Sequence, residues 1–70
     1  MVASVVLVGS TGIVIDSVTF MVPVDDMHNV TIQSHPRGAC FVYETGRAII
    51  TPQHAAYLVG HGATDKRRIV

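Results

Sequence analysis

Four histidines, one cysteine and a pair of adjacent carboxylates are the side chains here whose types and spacing could do chemistry. His28, His35, His54 and His61 are candidate metal ligands, and Asp25 and Asp26 stand close enough to His28 to join a loop site. A tetrahedral site, however, wants closely spaced pairs such as Cys-x-x-Cys or His-x-His, and neither occurs. His54 and His61 would stack on one helix face, yet Gly60 interrupts that helix before His61. Carboxylates paired in a turn are usually just solvated, so no metal is expected. Cys40 with His35 or His54 could be drawn as a thiolate–imidazole pair. The commoner fate of a free cysteine is a small buried hydrophobe, and Cys40 sits in a strand pattern. A chain of this length also has little material for a water-excluding pocket. No catalytic residue is assigned, and the chain is read as non-enzymatic.

Two further stretches invite a ligand. Val5 to Gly12 (VVLVGSTG) starts like a dinucleotide-binding turn, but the last glycine of that fingerprint would fall at Ile15, and no helical pattern follows. A glycine turn between strands is the reading kept, and no cofactor is expected. The tail carries three of the five basic residues, Lys66, Arg67 and Arg68. These are possible polar contacts with phosphate or an acidic partner surface, although a solvated terminus is the default. Direct contact with nucleic acid is not expected, because net charge is zero and the pI is near 6.9.

Composition then says what must surround these groups. Seventy residues make one small domain, 1–70, which buries only roughly 60% of its unfolded surface. The single cysteine excludes an internal disulfide. Charged residues are 14% of the chain against about 25% in ordinary soluble domains. Hydrophobic residues reach 49%, and mean hydropathy is +0.42. That balance is backwards for a free monomer, so a homo-oligomer or a larger assembly is inferred. The apolar start, MVASVVLVG, has no basic residue before it and is interrupted by Ser10 and Thr11. It reads neither as a signal peptide nor as a spanning helix, and no membrane is expected.

The positioning elements are mostly strands. The fold class expected is mainly β (α+β): a small antiparallel sheet or barrel, with a C-terminal hairpin followed by one short α-helix. Ser4 to Val8 reads as a strand buried on both sides or paired with a neighbouring subunit, ended by a Gly9–Gly12 turn. Ile13 to Val22 continues as strand, with Asp16 and Ser17 suggesting a bulge or exposed edge and Pro23 ending it. Val24 to His28 reads as a loop, Asn29 to Ser34 as a half-buried strand, and His35 to Gly38 as a turn. Ala39 to Glu44 and Arg47 to Thr51 form a hairpin. Its reversal lies at Thr45-Gly46, or in a longer loop with Gly46 left-handed. Phe41 and Tyr43 share one face, Cys40 and Val42 the other, and both faces should be covered. Thr51 caps a helix whose first residue is Pro52 and whose stripe is Ala55, Leu58 and Val59, with Tyr57 beside it. Phe41, Tyr43, Ile49, Tyr57, Leu58 and Val59 are the predicted core or interface residues.

The run Pro52, Ala55, Leu58, Val59 and then Gly62-Ala63 resembles the P-x-x-A-x-x-L-V…G-A ending of small structural proteins of tailed bacteriophages. It covers roughly a third of the chain. The resemblance implies a virion component, assembled in the host cytoplasm: a head-decoration, capsid-stabilising or head-to-tail joining protein whose partners are other virion subunits or itself. Glu44 to Leu58 is also similar to the G-R-x-x-I-P stretch of AbrB-type transcription factors through Gly46, Arg47 and Pro52, the last one step late. That alternative implies a swapped-hairpin DNA-binding dimer, but the helical arginine of that family is replaced here by Ala55 and Ala56.

Overall fold

Two tight reversals shape the first third of the chain. In the computed structural model, which describes residues 2–67, β1 (Val6–Val8), β2 (Ile13–Ile15) and β3 (Val18–Phe20) form an antiparallel sheet in the order β1-β2-β3. Gly12 makes the first reversal possible by close approach. A Cβ there would lie 2.4 Å from the Phe20 carbonyl oxygen, so only a bare backbone fits. The second reversal overturns the expected bulge. Ile15 pairs with Val18, and both residues between them, Asp16 (φ 47°) and Ser17 (φ 75°), are left-handed. That is the type I′ hairpin turn, whose twist matches that of the flanking strands. The Asp16 carboxylate fastens it: Oδ1 accepts from the N–H groups of Ser4 and Val5, each at 2.9 Å. Ile13 to Val22 is therefore two strands, since an aspartate tolerates the left-handed region that a β-branched residue resists.

Val24 to Asn29 is a 3₁₀ helix where a loop was expected, with Met27 turned inward and buried. The chain then builds a four-stranded sheet in the order β6-β5-β4-β7. Its strands are β4 (Thr31–His35), β5 (Gly38–Tyr43), β6 (Gly46–Ile50) and β7 (Thr64–Asp65). Pro36 and Arg37 turn β4 into β5 at the predicted place, with His35 opposite Gly38. The next turn sits one residue earlier than expected. Tyr43 pairs with Gly46, so Glu44 and Thr45 are the loop residues and neither takes a positive φ. Gly46 begins β6 instead of serving as a bulge. The shift pairs Cys40 with Ile49 and Ala39 with Ile50, a change of partners that keeps the faces: Ile50 is inward with Phe41, and Ile49 is half-buried on the outer face with Cys40 and Val42. β7 adds parallel to β4, so this sheet is mixed.

The helix α1 (Pro52–Gly60) forms where its signals stand. Thr51 Oγ1 accepts from the His54 N–H at 3.1 Å, and Pro52 occupies the first turn. At the other end Ala63 N–H bonds the Leu58 carbonyl and Gly62 N–H bonds that of Val59, a Schellman closure that needs the left-handed Gly62 (φ 114°). Ala55 and Leu58 are fully buried against the sheet, where α1 packs on β5. One continuous core joins the two sheets and the helix. Its largest fully buried side chains are Phe41, Ile13, Ile32, Ile50, Leu58, Val22 and Val30. The fold is mainly β with one short helix, an α+β fold of two small sheets.

Candidate functional site

The two sheets present facing edge strands, β3 and β6, and the space between them is a cleft of about 620 Å³. Its walls are Ile15, Val18 and Phe20 on one side and Arg47, Ala48 and Ile49 on the other. The edges meet where the Phe20 ring lies over Gly46, whose Cβ would come within 2.9 Å of it, and where Phe20 packs on Phe41 with ring centroids 4.9 Å apart. At the other end Ala3 N–H bonds the Ile49 carbonyl at 2.9 Å. His35 and Cys40 face the opening from the outer side of the four-stranded sheet. Strand register, rather than a catalytic arrangement, explains that pairing: Cys40 lies opposite Gln33, and His35 follows two residues on. The Cys40 thiol donates weakly to the Phe41 carbonyl, with Sγ 3.7 Å from the oxygen, and His35 Nδ1 accepts the Arg37 N–H at 3.1 Å. Among the described residues no three of His, Cys, Asp and Glu come together as a ligand set.

A polar clasp lies elsewhere. The Tyr43 hydroxyl donates to Asp26 Oδ2, while Asn29 Nδ2 donates to Asp26 Oδ1 at 2.6 Å. The carboxylate pushes the Tyr43 phenol up to about 12, since ionising it would lose that bond and oppose two negative charges. The same bond holds the Asp26 carboxyl below its ordinary range. The clasp ties the 3₁₀ helix to β5.

The predicted residues fall into three groups. Phe41, Tyr43 and Leu58 are buried, and Val59 packs half-buried at the margin of the core. Ile49 is at the cleft. Tyr57 is exposed, but its hydroxyl accepts the Val8 N–H at 3.2 Å, so it links α1 to β1, and its ring meets His61 edge-on. Of the basic tail, Lys66 is exposed. Arg67 is taken by Asp65, at 2.9 Å from Nη2 to Oδ2, which holds the Asp65 carboxyl down to about 2. Arg68 lies outside the described residues. Gly46 and Arg47 of the AbrB-like stretch open β6, and its hairpin with β5 closes within the chain.

Sequence reasoning overlooked the outer face of the β1-β2-β3 sheet. Leu7, Val14 and Thr19 stand in register across it, and continuing the alternation one residue past the strands puts Val5 and Met21 on the same side. Val5, Leu7 and Met21 are 46%, 57% and 65% exposed. Within the chain β1 is therefore buried on one side only, which corrects the first of the two readings of Ser4 to Val8, a strand buried on both sides. The signal was present in the sequence, because an apolar run in a two-faced strand must turn half its side chains outward. The outer face of β5 is likewise only half covered, at Cys40 and Val42. Compared with known protein families, curated proteins and solved structures, the chain matches none.

Proposed function

We propose that the chain is a non-enzymatic structural protein of a bacteriophage virion, binding capsid or neck subunits, or further copies of itself, through apolar surfaces and strand edges. The observation that carries this reading is the uncharged outer face of the first sheet. Five residues, Val5, Leu7, Val14, Thr19 and Met21, lie together there with no ionised group among them. Scattered apolar residues on a surface need no explanation, but a contiguous sheet face with this composition does. Fully covering a Val, Leu or Met side chain is worth about 1.5–3 kcal/mol, so a partner seated on this face gains most of its affinity from a few such groups. Among the described residues no helix is long and apolar enough to cross a membrane.

Leu7→Lys tests the reading, since Leu7 is exposed and its replacement leaves the core intact. Virions assembled with the natural chain should carry it through a density gradient, whereas the variant should be folded yet lost from the particles. Equal retention of the variant, or absence of the natural chain from particles, would overturn it.

A further inference from the structure

We infer that the cleft between β3 and β6 is a docking slot for an extended, apolar and acidic segment of a partner protein, which adds to the open edge of β6 and sets a carboxylate on Arg47. Three observations converge on one place. The first is the edge itself. Tyr43 and Gly46 close a two-residue turn, and antiparallel alternation from that pair turns the backbone groups of Arg47 and Ile49 away from β5. The Ile49 carbonyl bears this out by bonding Ala3 across the edge. The Arg47 N–H and C=O and the Ile49 N–H point the same way, and among the described residues no loop or terminal backbone bond reaches them. Such a row of groups is a template for a further strand.

The second observation is the wall. Ile15, Val18, Phe20 and Ala48 give the slot an apolar lining beside the edge, so alternate side chains of an added strand find cover there. The third is charge. Arg47 is exposed at the slot, and among the described residues it has no ion pair or hydrogen bond for its guanidinium. Asp16 also lines the slot, but its Oδ1 is turned onto the N–H groups of Ser4 and Val5. Those neutral donors leave the Asp16 charge in place, so the slot carries one charge of each sign. Of the two groups the Arg47 guanidinium is the one without a hydrogen-bond partner among the described residues, and its complement is a carboxylate on the incoming strand, able to take it two-pronged.

This assignment rests on the reading of the protein as a contact protein, yet the two fail separately. An inert slot in a chain that still joins particles retires the slot alone; a working slot in a chain absent from particles retires the virion reading alone. The experiment is a titration of the isotopically labelled chain, followed by amide NMR, with two capped pentapeptides: Val-Glu-Val-Glu-Val and Val-Lys-Val-Lys-Val. The acidic peptide should shift the Arg47 and Ile49 amides and bind about tenfold tighter than the basic one, the difference shrinking with salt. Arg47→Glu, an exposed substitution whose spectrum reports its own folding, should reverse the order. Unmoved β6 amides, or equal affinity for both peptides, would overturn the proposal. So would hexanoate shifting the lining residues while the acidic peptide leaves Arg47 and Ile49 unchanged, since the occupant would then be a small carboxylate.

Discussion

Gly12 and Gly60 are the same residue type under opposite constraints. A methyl at Gly12 collides with backbone atoms, the Phe20 carbonyl oxygen at 2.4 Å and its carbon at 3.3 Å, which cannot rotate away. Gly12→Ala should destabilise by about 1–3 kcal/mol. Gly60 ends α1 with nothing within 4 Å of the added carbon, so Gly60→Ala should stabilise by about 0.5–1 kcal/mol through helix propensity. Urea midpoints of the two variants should move in opposite directions. Tyr43 and Asp26 set a pH window. The phenol's folded value, about 12, lies above its ordinary 10.0, so its contribution is fully present below about pH 10 and lost as pH rises toward 12. Asp26 is shifted down from 3.8, so its contribution is present above that value and lost as pH falls through its folded range. Thermal melts should therefore decline at both ends, and Tyr43→Phe should remove the alkaline decline attributable to this bond.

At the scale of elements, the C-terminal half was the legible half. Thr51, Pro52 and the Ala55–Leu58 stripe define α1 with local signals that tertiary context did not contradict, and Val30 and Ile32 alternate inward as their spacing requires. Leu58 is fully buried beneath the helix, and Leu58→Ala should cost about 2–5 kcal/mol by chemical denaturation. A loss under half a kilocalorie would mean that α1 is not held by that side chain. Misreadings cluster at turns, where one residue decides everything. Asp16-Ser17 carries no glycine and so hid a type I′ reversal; Glu44-Thr45 hid behind the stronger glycine at 46. That single step changed the partner of Ile49 from Val42 to Cys40 without changing its face, and Ile49 lines the cleft. Ser17, at φ 75°, bears a side chain in a conformation that favours glycine. Ser17→Gly should raise the melting temperature, with a gain of about 1 kcal/mol, because it creates the preferred Asp-Gly pair. The cleft was illegible for a different reason: it joins residues from β2, β3 and β6, which no sequence spacing brings together.

The whole molecule is tightly folded, with a radius of gyration of 10.7 Å against about 11 Å expected for its length. Its core is wholly apolar, since the buried set contains no polar or charged residue among the described ones. The pressure toward a partner therefore comes from outside the core, from an uncharged sheet face, an open strand edge and a surface poor in ionised groups. Two 7.5 kDa chains meeting on that face would meet no charge repulsion there. The measurement that bears most directly on this is the native mass of the purified chain by sedimentation equilibrium, from micromolar to millimolar concentration, alongside Leu7→Lys. The expected result is a mass that climbs to a multiple of 7.5 kDa for the natural chain and stays at the monomer for the variant. A natural chain that remains a 7.5 kDa monomer throughout, freely soluble, would contradict a protein that works by covered apolar surface.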